Sequence, residues 1–315
     1  MTRTWLVPVV AALALFALPA VLTPYTQDLV VKIAIYAVFA LSLELLVGVT
    51  GLVSLGHAAF LGIGAYVTVL AAGDSGGSIA TVAPLAVLAA AGYALFVGAL
   101  SLRTKGVYFI MVTLAFAQMA YFVFHDTKLA GGSDGLFLYA KPALGALNLD
   151  DKRHLYYTVI VTLVATYALL ALLMRARFGH ALAGIRVNEQ RMRAAGFATF
   201  GYKLAAFVIA GAIAGLAGFL LAIKDGAVNP ELLSWHESGA VLLMLILGGI
   251  GSLRGAVIGA IAFTLLKELF QLESLLGPVA SHWQMTLGFT IIAFVALLPK
   301  GLIGLRSRFS GAAHG

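Results

Sequence analysis

An all-α polytopic membrane protein of about ten transmembrane helices is the fold this sequence predicts, on three observations. Hydrophobic residues make up 62% of the 315 and charged residues only 10%, against ~45–50% and ~25% in a soluble domain. The apolar runs are continuous and reach the ~20 residues that a spanning helix needs, where a barrel strand would alternate apolar and polar over ~10. Lys and Arg gather in particular loops, the pattern of the positive-inside rule.

The spans fall at 5–23, 29–47, 59–72, 79–100, 107–124, 155–174, 204–223, 239–250, 256–270 and 283–298. The first follows Arg3 as an n-region would, but its apolar stretch is long and no small-x-small site closes it cleanly. It reads as a retained anchor. With the N-terminus inside, the inner segments hold Arg3, Arg103, Lys105, Arg175, Arg177, Arg186, Arg191, Arg193, Lys203, Arg254, Lys300, Arg306 and Arg308. The outer side holds Lys32, Lys128, Lys141, Lys152, Arg153, Lys224 and Lys267, offset by acidic neighbours such as Asp126, Asp134 and Glu237. That bias puts both termini in the cytoplasm, and an even span count agrees. The net charge of +7 is therefore topological, and no soluble domain is present to bind nucleic acid.

Two stretches are too rich in glycine for one regular helix. GVTGLVSLGHAAFLGIG (48–64) breaks or re-enters before a short third span, and LGGIGSLRG (247–255) turns between two short spans. Irregular backbone at membrane depth survives only where it is buried in protein or lines a cavity. The outer loop at 125–153 is too small to be a domain, so 1–315 reads as a single transmembrane domain.

The inner loop at 175–203, RARFGHALAGIRVNEQRMRAAGFATFGYK, places Phe178, Leu182, Ile185 and Met192 at helical spacing. It predicts a short amphipathic helix outside the membrane that ends near Gly196. A basic interfacial helix resting on anionic lipid is one reading. The acid Glu189, the amides and the apolar knobs are unnecessary for that, and point to docking of a cytoplasmic partner.

Chemical motifs are scarce. There is no Cys, no G-x-x-x-x-G-K-[ST], and GGIGSLRG lacks both its ending and a preceding strand. The His residues stand singly, without metal-ligand spacing. Catalytic and metal-binding residues are thus none, and the chain reads as a non-enzyme. Energy for uphill transport would have to come from ATP hydrolysed by another chain or from an ion gradient.

Ionisable groups within spans remain, each costing a few kcal/mol unless paired or wet. Glu44 is deep enough to need a partner or a water-filled cavity, and functional and structural roles both fit it. His57 and Ser54, in SLGHAAF, read first as satisfied interior groups and second as parts of a substrate pathway with Glu44. Lys267 and Glu268 read as interfacial snorkelling. Gly211, Gly215 and Gly218 fall on nearby faces of one helix, and Gly255 and Gly259 repeat the small-x-x-x-small pattern that lets helices approach closely.

Several segments together resemble one family. GLVSLGHAAFLGIGAY (51–66), LRTKGVYFIMVTLAFAQ (102–118), GGSDGL (131–136), RFGHALAGIRVNE…AAG (177–196), KLAAFVIAGAIAGLAG (203–218), LLMLILGGIGSLRGAVIGA (242–260) and LPKGLIG (298–304) are similar to the inner-membrane permease subunits of branched-chain amino acid ABC importers, the LivM type. The resemblance covers about 29–305, in the family's order.

It implies a multi-pass protein of the bacterial inner membrane, binding no cofactor itself. Two permeases, here a heterodimer with a second permease subunit, would form the pore. Two cytoplasmic ATPase subunits would carry ATP and Mg, and a soluble binding protein would deliver solute from outside. The inner loop would be the counterpart of the loop that inserts into the ATPase, with Phe178, Gly179, Arg186, Asn188, Glu189 and Gly196 as the coupling residues. Arg191 and Met192 depart from the family's small alanines, and Glu44 from its uncharged polar residue. Cargo stays open between branched-chain or related hydrophobic amino acids and urea, short amides or small carboxylates. From the residues alone, an ion-coupled secondary transporter working through Glu44 also fits, and a membrane scaffold fits less well because it has no need of broken spans.

Overall fold

Peptide groups that cross lipid must bond within their own segment, and the apolar runs of this chain accordingly fold as helices. In order these are α1 (Pro24–Glu44), prolonged by a π-helical segment (Leu45–Thr50), α2 (Ala58–Ala72), α3 (Ile79–Ser101), α4 (Val107–Asp126), α5 (Lys152–Arg175), α6 (Arg177–Val187), α7 (Glu189–Ala194), α8 (Thr199–Asp225), α9 (Trp235–Gly248), α10 (Leu253–Gln271) and α11 (Trp283–Leu297). The computed structural model describes residues 15–16, 19, 23–145, 147–272, 277, 282–298 and 301–304. The expected first span at 5–23 lies almost wholly outside the described residues, as do Arg3, Lys300, Arg306 and Arg308.

Helix starts follow local sequence. Thr23 caps α1 with Pro24 in its first turn, Ser78 caps α3, Asp151 caps α5 by accepting from Arg153 N–H at 2.8 Å, and Ser252 caps α10 by accepting from Gly255 N–H at 3.1 Å. Each supplies a side-chain oxygen to an otherwise orphaned backbone donor.

Two helices form the centre. In α1 with its π extension, and in α8, 78% of the most apolar stretch is buried, against 22% in α3 and α4 and 28% in α5. Close backbone approach builds this centre. A Cβ on Gly211 or Gly215 of α8 would stand 2.4 Å from the Cβ of Ala94 or Ala90 on α3, and one on Gly218 would stand 2.0 Å from Leu61 O on α2. With lipid as apolar as the core, small residues at such crossings supply the van der Waals contact that holds helices together.

The helices α9 and α10 fold back on each other with a bend of 114°. A Cβ on Gly259 would lie 1.8 Å from Met244 O and one on Gly255 would lie 2.3 Å from Gly249 O. The turn between them, 249–252, sits at the end of the bundle that carries α6 and α7. The opposite end carries two short antiparallel pairings that the sequence reading did not anticipate: β1 (Leu136–Phe137) with β4 (Ala227–Val228), and β2 (Ala143–Leu144) with β3 (Leu147–Asn148).

Every expected span from the second to the tenth overlaps one of these helices. By length and composition, six helices among the described residues could cross a membrane, or seven if α9 and α10 make one bent span. The helix α2, with 15 residues, extends only ~22 Å against a ~30 Å hydrocarbon core. The chain is thus a polytopic, mostly helical membrane protein.

Candidate functional site

The loop at 175–203 is built by two stops. The first is Asn188, whose extended backbone (φ −158°, ψ 97°) ends α6 and whose Oδ1 accepts from Arg191 N–H at 2.9 Å to cap α7. The second is Gly196, with φ +88°, which only glycine adopts cheaply. Around it Gly196 N–H donates to Arg193 O at 3.0 Å and Phe197 N–H to Met192 O at 3.1 Å, the paired bonds of a Schellman motif. The sequence expectation of one helix running to Gly196 is therefore corrected to two, because Asn188 satisfies the start of a new helix better than the middle of an old one.

Packing fixes the loop against the bundle. Leu182 and Ile185 are buried. Phe178 stacks on Tyr202 of α8 at 5.7 Å. Gly179 admits the turn out of α5, since a Cβ there would lie 2.5 Å from Met174 Cα.

Glu189 is the loop's electrostatic centre. Its Oε1 accepts from Arg193 Nη2 at 2.7 Å, Lys203 Nζ at 2.9 Å and Thr199 Oγ1 at 3.2 Å. Partial burial pushes this carboxyl up, but the hydrogen bond and charge of Lys203, then the bonds from Arg193 and Thr199, outweigh it and hold it at about 2. Glu189 thus staples α7 to the base of α8. The outward surface is left to Val187, Asn188, Gln190, Arg191 and Phe197, all exposed.

A second set of contacts joins the loop to both glycine breaks. Arg186, at the end of α6, donates from Nη1 to Gly48 O in the π-helical segment. Glu44, at the end of α1 and fully buried, accepts on Oε1 from Gly251 N–H at 2.8 Å. Gly251 lies in the 249–252 turn, where Gly249 and Gly251 have φ of +112° and +97°. A Cβ on Gly48 would stand 1.9 Å from Glu44 Oε1, so the missing side chain at 48 is what gives the carboxyl its room.

The other polar residues of the break turn elsewhere. Ser54 Oγ accepts from Gly56 N–H at 3.3 Å. His57 is buried, lies 5.5 Å from both Phe39 and Phe60, and bonds Ser42 through Nε2 at 2.7 Å. The Ser42 hydroxyl donates to Phe39 O at 2.7 Å, so the shared proton must sit on Nε2. Nδ1 then keeps a lone pair with no hydrogen-bond partner. The start of α2 is capped from a distance, by Ser238 Oγ accepting from Ala58 N–H at 2.9 Å. Glu44, Ser54 and His57 therefore engage three different partners. Among the described residues no group of three or more His, Asp or Glu could hold a metal ion.

Sequence reasoning missed Lys203, Gly48, Gly251 and Ser238 as members of the site. Lys203 stood out as a positive charge and as the start of a family-like segment but not as the partner of Glu189, and a backbone N–H such as that of Gly251 leaves no signal in sequence beyond the glycines that free it.

Residues 25–296 match the model of a family described as branched-chain amino acid transport system / permease component. The chain is 29% identical over 311 residues to the high-affinity branched-chain amino acid transport system permease protein LivM of Escherichia coli K12, covering 91% of this chain and 72% of that one. It is 27% identical over 146 residues to the LivH permease protein of the same description and organism, covering 46% of each. It is 31% identical over 130 residues to the xylose transport system permease protein XylH of Haemophilus influenzae, covering 39% of this chain and 35% of that one. No solved structure matches the chain.

Proposed function

The chain belongs to the family of branched-chain amino acid transport system permease components, and from that membership we propose that it is the permease subunit of an ATP-driven importer of branched-chain or related hydrophobic amino acids. The observation that carries this reading is the family match, which runs through both glycine breaks and the whole inner loop. In this reading the spans form a ten-segment inner-membrane bundle with both ends cytoplasmic, and 175–203 docks an ATPase.

Force from the ATPase would enter through Phe178, Gly179, Arg186, Asn188, Glu189 and Gly196. A loop that transmits force must be stiff, and the Glu189 staple, the Asn188 cap and the Gly196 stop supply that stiffness. The substrate path would run beside the first break, with Ser54 and His57 bordering it. ATP and Mg would act on partner chains, and a soluble binding protein would deliver the cargo. Similarity to both LivM and LivH, two permeases of one organism with one system description, supports pairing with an unlike permease. Partial likeness to a xylose permease leaves the machine unchanged and makes cargo the point to test.

The test is reconstitution of the chain in proteoliposomes with its cognate second permease, ATPases and binding protein. ATP-driven uptake of leucine, isoleucine or valine is expected. Uptake by this chain alone under an ion gradient would overturn the reading. ATP-driven uptake of only a different solute would keep the machine and replace the cargo.

A further inference from the structure

Two breaks in the helical backbone leave orphaned peptide groups of opposite kind, and two side chains of opposite charge answer them. The end of α1 leaves carbonyls without an intrahelical donor, as every helix end does. Arg186 reaches one of them, Gly48 O, from the inner loop. The 249–252 turn leaves the Gly251 N–H without a helical acceptor, and Glu44 takes it at 2.8 Å. Arg186 holds, and Glu44 projects from, a single stretch of chain, 44–48. Beside it a Cβ on Gly51 would stand 3.2 Å from Arg186 Cγ, and one on Gly301 would stand 2.5 Å from Gly249 N. The loop, the π-helical segment and the hairpin turn are thus tied in series, across a region where unpaired peptide groups are costly.

We infer that Glu44 is a positioning residue that couples the inner loop to the α9–α10 hairpin, through the 44–48 segment that Arg186 grips from the other side. The inference rests on the importer reading and adds to it the route by which a displaced loop reaches the membrane-buried part. A rigid displacement of α6 moves Gly48 with Arg186. Because Glu44 sits one turn back on the same helix, the 249–252 turn is drawn with it. What Glu44 supplies is an acceptor oxygen held by the room over Gly48. Gln at 44 retains such an oxygen, and Ala does not.

The experiment measures ATP hydrolysis and solute uptake together in proteoliposomes of the whole importer and reads solute moved per ATP. For Glu44→Ala, hydrolysis is expected to persist while uptake per ATP falls ~10-fold, the size of a typical coupling energy. Glu44→Gln is expected to recover most of that ratio. A purely structural role would lower the amount of assembled complex and leave the ratio of the remainder unchanged, which would overturn the inference. So would a Glu44→Gln variant as uncoupled as Glu44→Ala. If Glu44→Ala does not assemble, Gly48→Ala, whose methyl group would displace the Glu44 carboxyl from Gly251 without altering the loop, carries the test. Persisting hydrolysis with reduced uptake per ATP is expected there. A wild-type ratio, or joint loss of hydrolysis and uptake, would overturn the tie. Absence of ATP-driven uptake in the unaltered complex would instead count against the importer reading.

Discussion

Lys203 Nζ lies 2.9 Å from Glu189 Oε1, so the acid of the 175–203 loop is bound to the first turns of α8 and is not free to reach a partner. In the proposed docking, its part would then be to set the loop's shape. Glu189→Lys would put a third cation against Arg193 and Lys203. The expected outcome is loss of stimulated ATP hydrolysis and of uptake, with the amount of chain in the membrane unchanged, read by parallel activity and membrane-fraction measurements. Normal uptake by this variant would sink the docking role.

The same network sets a pH response. The Glu189 carboxyl titrates at about 2 in the folded chain against 4.5 when free. A carboxyl depressed in this way contributes stability above its free value and loses it as pH falls from about 4.5 through about 2. Hydrogen exchange of α7 amides, corrected for intrinsic rates, should therefore show constant protection between pH 8 and pH 5 and declining protection below. Loss of protection already near pH 6 would assign the loop's stability to other groups.

The helices, the two breaks and the amphipathic loop were legible because each has a local cause: an apolar run, clustered glycines, a 3.6-residue stripe. Which spans are central was not. The most apolar 18-residue windows of Pro24–Thr50 and Lys152–Arg175 have the same mean hydropathy, 2.2, yet 78% of one and 28% of the other is buried. Lipid and protein interior are equally apolar, so sequence patterning does not separate a face that meets lipid from one that meets another helix. The site's long-range partners were hidden for a different reason. Glu189 and Lys203 are 14 residues apart and Glu44 and Gly251 are 207 apart, and neither spacing belongs to a helix or a motif.

Gly48 and Glu44 should behave as a coupled pair. A Cβ at 48 would stand 1.9 Å from Glu44 Oε1, so Gly48→Ala must displace the carboxyl from Gly251 or strain the π-helical segment. Overpacking of this kind costs ~1–3 kcal/mol. In a Glu44→Ala background the methyl group has room, and the second substitution should cost much less. Thermal unfolding of the single and double variants in detergent measures the coupling. Additive losses would mean that the carboxyl does not occupy the space over Gly48.

His57 and Ser42 form a buried pair whose proton count fixes a further outcome. The Ser42 hydroxyl gives its proton to Phe39 O and accepts that of His57 Nε2. Ser42→Ala removes the acceptor and strands a buried ring N–H, which costs ~1–3 kcal/mol. The combined Ser42→Ala and His57→Phe variant removes both polar partners at once. A phenyl ring there would extend the existing Phe39 and Phe60 contacts, and apolar replacement of both partners of a buried hydrogen bond is close to neutral. The expected order of melting temperature is wild type, then the double variant close behind, then Ser42→Ala lowest. A double variant less stable than Ser42→Ala would mean that the unpaired Nδ1 of His57 has a partner of its own in the membrane-embedded protein.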